Sequence, residues 1–453
     1  MFLNKSYFGF LVAVLILTSV WSCQENQTQN ATESLESFDL IQSRILTPSC
    51  AIPSCHASAG DATFAQHELI LEKSVAYVNL VGAAAKNVNA LASGLLRVTP
   101  SDAEASLLIH KLHIANDHHS GDFGNPMPLG LQKLSKGQLE FIEQWIAAGA
   151  PRTGIVADAT LLDDNTAQEE NFEPLTPPEA GKGFQVNLTR FTITPNFERE
   201  FFVYKTVGNN ADVFVSRFEI NMRLNSHHLV VYDFEPGTSP FLIPPIDVVR
   251  DIRNPDNTLN SANMAQMFYH TYVFGSQSPY LNYEFPPGVA IRIKANTKLD
   301  FNSHYVNRGS QSISGEVNVN FHTVPESSVV KEAKPINMGN TSISVNSGER
   351  KTINKTFTVS TAISVIGLTS HTHELGERFI IRIVGGARNN EIIYTSTDWH
   401  HPQFITYNPQ IQLLPGEGLM SEITYHNTRN SIVRFGLTSQ DEMGIIFGYY
   451  TDN

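Results

Sequence analysis

The chain has 453 residues, more than one hydrophobic core usually serves, so its length indicates two to four domains. With 41% hydrophobic and 17% charged residues the composition is globular, and the net charge of −13 argues against nucleic acid as a partner. Beyond the first 21 residues no stretch is long and apolar enough to predict a transmembrane helix.

The chain begins with a pattern typical of export. Lys5 precedes the apolar run "FGFLVAVLILTSVW", which predicts a signal peptide over residues 1–22. The following "VWSC" resembles a bacterial lipoprotein signal, in which Cys23 is lipidated, and cleavage near Ser22 without lipid is the alternative. Residues 23–37 are polar and are interpreted as a tether. Both interpretations predict an exported protein, and the lipoprotein interpretation predicts one attached to a membrane in the periplasm or at the outer membrane.

Residues 38–150 are predicted to be helical. The segment "SDAEASLLIHKLH" has Ser101 and Glu104 at the spacing of a capping box. The segment "SKGQLEFIEQWIAAGAP" repeats that spacing with Ser135 and Gln138, carries an apolar stripe and stops at Gly and Pro. A helix is therefore expected at each of these places.

From residue 151 to 183 the acidic, proline-bearing text "DDNTAQEENFEPLTPPEAGKG" predicts a flexible linker. From residue 184 onward short β-rich runs such as "HHLVVYDF" and "FIIRIVGG" alternate with turn clusters. This pattern predicts two all-β sandwiches of jelly-roll type, over residues 184–335 and 336–453.

One motif in the helical segment is a candidate haem site. In "CAIPSCH" four residues separate Cys50 from Cys55, and His56 follows directly. A c-type haem uses two cysteines and the adjacent histidine, usually with two intervening residues, so a Cys50–Cys55 disulfide is the alternative. Together with "GNPMPLG" and "FIEQWIAAGAP" the segment resembles the single-haem cytochrome c domains of exported bacterial proteins, which implies Met127 as the second iron ligand. The other histidines of the segment are interpreted as surface residues, with His113 as an alternative ligand: His110, His113, His118 and His119.

Histidines recur along the β-rich segments. In "SHTHEL" His371 and His373 are two apart, so on a strand both point to the same face and can share a metal. Adjacent His227 and His228 would diverge on a regular strand, so a shared metal requires a bend or different ring nitrogens. For each motif taken singly, the alternative is an ordinary surface or core residue. The remaining candidates are His304 in "NSHYVN" and Met443 in "QDEMGII".

In order and spacing these motifs resemble the copper type II, ascorbate-dependent monooxygenases, over about residues 185–453. The resemblance implies an all-nitrogen copper site at His227, His228 and His304, and a mixed site at His371, His373 and Met443. Imidazole suits both copper oxidation states and thioether favours Cu(I), so the mixed site is the one expected to activate O₂. The implied reaction is hydroxylation of a C–H bond, with the second electron delivered by the other copper across an open cleft.

The sequence also departs from that family. Gly444 stands where animal members have a cysteine, and the copper segments contain no cysteine at all. Thr369 and Phe447 replace an arginine and a tyrosine that help to bind a peptide carboxylate, so a C-terminal glycine peptide is not the expected substrate. The remaining histidines are interpreted as structural or surface residues: His270, His322, His400, His401 and His426.

The overall hypothesis is an exported copper monooxygenase with two copper ions, one covalent haem and an unidentified organic substrate. The haem is expected to reduce the copper at His227, His228 and His304, replacing or supplementing an external reductant such as ascorbate or a redox protein. The alternative is a non-catalytic haem and copper protein for electron transfer or copper handling. A third hypothesis makes the sandwiches binding modules without metal.

Overall fold

A computed structural model of the chain describes residues 36–453 apart from 54, 62–63, 115–122, 130, 169, 171, 401, 437 and 439. The signal peptide, Cys23 and all of the tether except its last two residues lie outside the described residues, as do His118, His119 and His401. Within the described ranges no helix has both the length and the apolar character needed to cross a bilayer.

Residues 36–150, called the helical part below, contain short helices joined by loops. This part has its own apolar core around Phe38, Phe141 and Trp145. The longest helix, Lys136–Ala147, begins with a complete capping box between Ser135 and Gln138, as predicted. The helices are α1 Ser37–Ile41, continued by a π-helical turn Gln42–Leu46, α2 Thr47–Ser49, α3 Phe64–His67, α4 Ala76–Leu80, α5 Val88–Ala92, α6 Leu107–Leu112 and α7 Lys136–Ala147.

The helix start predicted at Ser101 is wrong. Ser101 has a positive φ of 65°, and its backbone N–H donates to the carbonyl of Ile146. Helix α6 begins six residues later, after Ser106, whose hydroxyl donates to the carbonyl of Asp102. Packing of this turn against the end of α7 therefore outweighs the local capping signal.

The rest of the chain is β-structure. The strands of the N-terminal sandwich are β1 Gly183–Ile193, β2 Phe197–Thr206, β3 Val213–Met222, β4 Ser226–Phe234, β5 Val249–Asp251, β6 His270–Ser276, β7 Tyr280–Glu284, β8 Val289–Ile293, β9 Lys298–Asn307 and β10 Ile313–Val324, with helix α8 Ser261–Met264 between β5 and β6. Those of the C-terminal sandwich are β11 Lys331–Gly339, β12 Ser344–Val345, β13 Arg350–Thr358, β14 Ile363–His371, β15 Gly376–Val384, β16 Ile392–Ser396, β17 Ile405–Leu413, β18 Gly418–His426, β19 Val433–Arg434 and β20 Ile445–Asp452.

The two sandwiches share one continuous sheet, ordered β1-β10-β3-β8-β11-β20-β14-β17, with β7 attached to β3. The other layer of the first sandwich is β5-β2-β9-β4-β6, and that of the second is β13-β18-β15-β16. Strand β11 joins the halves, since residues 331–333 pair in parallel with β8 and residues 334–339 pair antiparallel with β20. The boundary predicted between residues 335 and 336 thus falls inside this shared strand, which holds the sandwiches in one relative orientation.

The segment between the helices and the first strand is tied to both. Gln168 donates to the carbonyls of Leu112 and Leu134 in the helical part. Glu170 pairs with Arg223 at 3.0 Å, at the end of β3. The acidic segment that the sequence predicts as a flexible linker is therefore bonded both to the helical part and to the N-terminal sandwich.

Candidate metal centres

The first candidate metal centre lies on the five-stranded layer. Strand β9 carries His304 between β2 and β4, and His304 pairs directly with His228 on β4. The register shifts between Ser226 and His228, so β4 is bulged at His227. This bulge is the bend that adjacent histidines need in order to face one metal, and it brings the rings of His227, His228 and His304 together.

The facing atoms identify which ring nitrogens are available. The Nδ1 atoms of His227 and His228 are 3.0 Å apart, and one ligand nitrogen from each of His227, His228 and His304 lies within 4.8 Å of the others. His304 Nε2 lies 2.8 Å from Glu198 Oε1, whereas its buried Nδ1 has no hydrogen-bond partner within the described part of the chain. A buried imidazole nitrogen without a partner is unusual, and a metal ion would satisfy it.

Burial and charge set the protonation of this group. Burial, together with the neighbouring imidazoles of His304 and His228, holds the pKa of His227 well below its usual value. Burial also lowers the pKa of His304, but the carboxylates of Glu200 and Glu198 more than reverse this and raise it. His227 is therefore neutral near pH 7 and able to bind a metal, and the carboxylates make the imidazole of His304 more basic than that of His227.

The second candidate centre forms where two neighbouring strands end. His371 is the last residue of β14 and pairs with Ile445 at the start of β20. His373 follows two residues later, and Met443 precedes β20 by two residues. The antiparallel pairing thus brings the HTH and DEM motifs to the same end of the shared sheet, and all three side chains line one cavity.

Both second-centre histidines are held by their Nδ1 atoms. His371 Nδ1 donates to Gln277 Oε1 at 2.8 Å, and His373 Nδ1 donates to the carbonyl of Asp441 at 2.9 Å. This arrangement leaves Nε2 of each ring for a metal, which is the usual division of roles in a ligating histidine. Burial lowers the pKa of both imidazoles, that of His371 well below its usual value, so both are neutral near pH 7.

Gly444 has a packing role beside this centre. A Cβ at position 444 would approach Ile423 Cδ1 to 2.5 Å and the Tyr425 hydroxyl to 2.7 Å. That hydroxyl donates to the carbonyl of Met443 at 2.7 Å. The space that a cysteine side chain would need is therefore filled by a tyrosine that fixes the backbone of Met443.

The two centres adjoin in one cavity of about 1650 Å³. The ring centres of His228 and His371 are 6.4 Å apart, so the ligand sets do not face each other across the open cleft that was expected. The hydroxyl of Thr369 donates to the carbonyl of Pro402. The rings of Phe447 and Tyr272 stack with their centres 4.5 Å apart. Thr369 and Phe447 both line this cavity. The aromatic side chains that line it include Tyr272, Phe274, Tyr283, Phe404, Phe447 and Tyr449.

Several residues of the centres carry no recognisable sequence signal. His400, expected to be structural or on the surface, lies with its ring centre 5.3 Å from that of His227, across the junction between the sandwiches. Glu198 and Gln277 belong to no motif, and strand register alone could have placed Glu200 beside His304. The remaining histidines agree with a structural role: His270 pairs with Asp300, His322 with Glu219 and His426 with Glu377.

The haem candidates also gather in this cavity. Cys50, Cys55, His56 and Met127 all line it, at the end formed by the helical part. In the described part of the chain Cys50 and Cys55 are not joined by a disulfide. His110 contacts the carbonyl of Glu104 and His113 contacts Glu143 at 3.0 Å, so neither is turned to this group.

His67 is a residue of this region that sequence reasoning missed. Its ring centre is 4.1 Å from that of His56, and its Nδ1 accepts from the backbone N–H of Leu69. Burial, with His56 and Arg97 nearby, lowers the pKa of His67 to about 3. It is therefore a neutral imidazole beside the candidate iron ligand.

Comparisons with known proteins support one part of this description. Residues 329–453 match the family model described as copper type II ascorbate-dependent monooxygenase, C-terminal domain. The matched region is the C-terminal sandwich with the second candidate centre, and it supports a copper-dependent monooxygenase in general. A search of the curated proteins gave no match.

Solved structures give only distant similarities. The major capsid protein P2 from bacteriophage PM2 is 8% identical with a TM-score of 0.22, covering 56% of this chain and 97% of that one. The PBSX exported protein XepA is 9% identical with a TM-score of 0.18, covering 67% and 96%. The Sulfolobus turreted icosahedral virus structure is 6% identical with a TM-score of 0.16, covering 60% of each chain. Scores this low carry no argument about this protein.

Proposed function

We propose that this chain is an exported copper monooxygenase that hydroxylates a C–H bond of an apolar organic substrate with O₂, and that a c-type haem in its helical part supplies electrons. The observation that carries the proposal is the shared cavity, which is lined by all six candidate copper ligands and by the four candidate haem residues. The family match of residues 329–453 supports the copper chemistry.

The residues at both centres suit copper. The first set offers imidazole nitrogens alone, and the unsatisfied Nδ1 of buried His304 fits a site for a metal. The second set offers two Nε2 atoms and the Met443 thioether, a soft donor that favours Cu(I). When bound, copper supplies the reduction of O₂ and the oxidising power for the C–H bond.

The protein's own residues position the ligands and shape the substrate space. Gln277 and the carbonyl of Asp441 fix the tautomer and direction of the second-centre rings. The aromatic side chains that include Tyr283 and Phe404 favour an apolar substrate. Since Thr369 stands where the peptide-hydroxylating members have an arginine, that position offers no cation to a substrate carboxylate.

The helical part also fits a haem. His56 Nδ1 lies 3.2 Å from the carbonyl of Leu69, which leaves Nε2 for iron. Lys111 donates to the carbonyls of Phe123 and Asn125, and Lys133 donates to those of Pro126 and Pro128. These two lysines therefore hold the loop that presents Met127 to the same cavity. A haem with His and Met ligands would supply one-electron transfer at a relatively high potential.

The helical part is packed against the copper-binding part at this point. Arg308 and Glu374 are close enough to Cys55 to influence its pKa, the first lowering it and the second raising it, although burial is the larger effect and raises it. Glu374 directly follows His373, and helix α3 packs against strand β15 just beyond it. The proximity of the cysteine motif to both copper centres supports electron supply within the molecule, without the reach of a flexible tether.

Export and lipid attachment remain part of the proposal on sequence grounds. The run "FGFLVAVLILTSVWSC" carries that inference, and its residues lie outside the described ranges. Mass analysis of the mature protein from a membrane fraction tests it. Cleavage before Cys23 with added acyl mass is expected, and an unmodified Cys23 would rule out the anchor.

The decisive experiment measures O₂ uptake by the reduced, copper-loaded chain with a pool of apolar metabolites. A product heavier by one oxygen atom, with ¹⁸O incorporated from ¹⁸O₂, is the expected result. The matched control is the His371→Ala, His373→Ala protein, which should keep the first copper and produce nothing. Copper binding with redox cycling but no oxygenated product would identify a non-catalytic electron-transfer protein instead.

A further inference from the structure

The two candidate copper centres differ in what lies behind their histidines. At the first centre His304 Nε2 is 2.8 Å from Glu198 Oε1, and His228 Nε2 is 2.8 Å from Asn302 Oδ1. Glu200 Oε1 is a further neighbour of His228 Nε2, at 3.7 Å. At the second centre the rings of His371 and His373 have neutral acceptors, an amide oxygen and a backbone carbonyl oxygen. The buried carboxyl of Glu442 accepts there from the backbone N–H of His373 at 3.1 Å and not from a ring nitrogen.

Strand register explains why the carboxylates of Glu198 and Glu200 lie beside the histidines of the first centre. Strands β2, β9 and β4 lie side by side, and Glu200, His304 and His228 form one row across them. Glu198 is two residues before Glu200 on β2, so both carboxylates lie on the histidine face of the sheet. Asn302 lies two residues before His304 on β9, on the same face, and donates to Glu200 Oε1 at 3.0 Å.

The carboxylates are poorly exposed to solvent, and one of them has an arginine nearby. The side chains of Glu200 and Glu198 are 9% and 22% exposed. Arg253 lies 3.9 Å from the other oxygen of Glu198. The Glu198–His304 contact occupies Nε2 of the ring and leaves Nδ1, which has no partner among the described residues, for a metal.

We propose that Glu198 and Glu200 are positioning residues that make the first copper centre more reducing than the second. This inference rests on the proposed function. A carboxylate behind a ligating imidazole orients the ring and raises its basicity, which favours Cu(II) over Cu(I). Negative charge in a poorly solvated site acts in the same direction. At the second centre a thioether and neutral acceptors favour Cu(I), so the two potentials are separated in the order that the proposed reaction needs.

The test uses the full chain carrying His373→Ala, so that the first centre is the copper site under study. Redox titrations followed by the EPR signal of Cu(II) compare this protein with versions that also carry Glu198→Gln or Glu200→Gln. Each carboxylate variant should shift the Cu(II)/Cu(I) equilibrium at least tenfold toward Cu(I), about 59 mV upward for a one-electron couple. The nitrogen couplings of the bound imidazoles should stay unchanged.

Glu219→Gln is the matched control, because Glu219 contacts His322 at 3.2 Å in the same sandwich, outside the cavity that holds the copper centres. It should leave the equilibrium unchanged. Glu198→Asp retains the charge on a shorter side chain and should shift it less than Glu198→Gln, which keeps the test open if one variant folds poorly. A shift no larger than that of Glu219→Gln overturns the inference. Loss of an oxygen bound directly to copper in Glu198→Gln also overturns it, because Glu198 would then be a copper ligand and not a positioning residue. A Cu(II) signal unaffected by His304→Ala would instead refute the first copper centre and the proposed function with it.

Discussion

Gln277 of the N-terminal sandwich accepts a hydrogen bond from His371 of the C-terminal sandwich, with 2.8 Å between Oε1 and Nδ1. The same amide donates from Nε2 to the carbonyl of Ser370 at 3.2 Å. One glutamine thus holds both the backbone and the ring at the end of β14. The orientation of a second-centre ligand therefore depends on how the two sandwiches are joined.

Replacing Gln277 with Ala should weaken copper binding at the second centre. His371 would lose the acceptor that fixes its ring, and removal of such a partner typically costs about 10–100-fold in metal affinity. Competition with a Cu(I) chelator measures the loss, and His227, His228 and His304 should keep their copper. Gln311→Ala removes an exposed glutamine of the same sandwich and serves as the control. Equal affinity in both variants would mean that Gln277 does not position His371.

Met443→Leu should abolish hydroxylation while leaving the fold intact. Leucine nearly conserves the volume, so the stability cost should stay below about 1.5 kcal/mol. It lacks the thioether that favours Cu(I) at the second centre. Product analysis and X-ray absorption of the Cu(I) protein measure the two effects. Full activity together with an unchanged sulfur signal would show that Met443 is not a ligand.

Glycine-extended peptides should not be turned over. A peptide carboxylate gains stability from a paired cation, and Thr369 and Phe447 occupy the two family positions that would help to hold it. Incubation of the reduced, copper-loaded protein with such a peptide, followed by mass spectrometry, should detect no hydroxylated or amidated product. Efficient amidation would contradict this and point to a different cation in the cavity.

His56→Ala should separate two kinds of electron donor. If His56 ligates a haem iron as proposed, its loss stops electron relay through the helical part, whereas a small reductant reaches the proposed copper centres directly. Activity with ascorbate should therefore persist, and activity with a reduced cytochrome partner should fall to background. His110→Ala, which alters a histidine bonded to the carbonyl of Glu104, is the control. If both donors still support turnover equally, the haem is not on the electron path.

Lys133 should make the stability of the helical part depend on pH. Its ammonium group is enclosed although the rest of the side chain is partly exposed, and burial, with Lys111 nearby, lowers its pKa from 10.5 to about 7. Between these values the unfolded chain binds more protons than the folded chain, so the free energy of unfolding rises with pH across this window. It stays at its lower level below about pH 7.

Lys133→Gln should remove that rise, which denaturant unfolding at a series of pH values would measure. The wild-type protein should lose stability relative to the variant as the pH falls from about 10 to about 7. Lys73→Gln, at an exposed lysine of the same helical part, should leave the rise unchanged. A constant difference between wild type and Lys133→Gln over this range would show that Lys133 does not titrate there.

The residue types of both candidate centres, and the strands that carry them, are predictable from local sequence patterns. Strand periodicity is a local property, so the HTH spacing alone predicts two imidazoles on one face of a strand. The capping box at Ser135 is also predictable from the sequence, because its hydrogen bonds lie within four residues. The resemblance to a copper enzyme family rested on motifs of this kind, and residues 329–453 match a model of that family.

How these elements come together depends instead on contacts between residues far apart in the chain. The bulge beside His228, the Glu200–His304 row and the approach of His228 to His371 depend on pairing between strands far apart in the chain. The capping signal at Ser101 is outweighed by the contact of its backbone with α7, which no local pattern records. Gln277 and Glu198 belong to no motif, because their roles come from where distant strands place them. Long-range pairing and packing therefore set the geometry of the centres, while local chemistry set their composition.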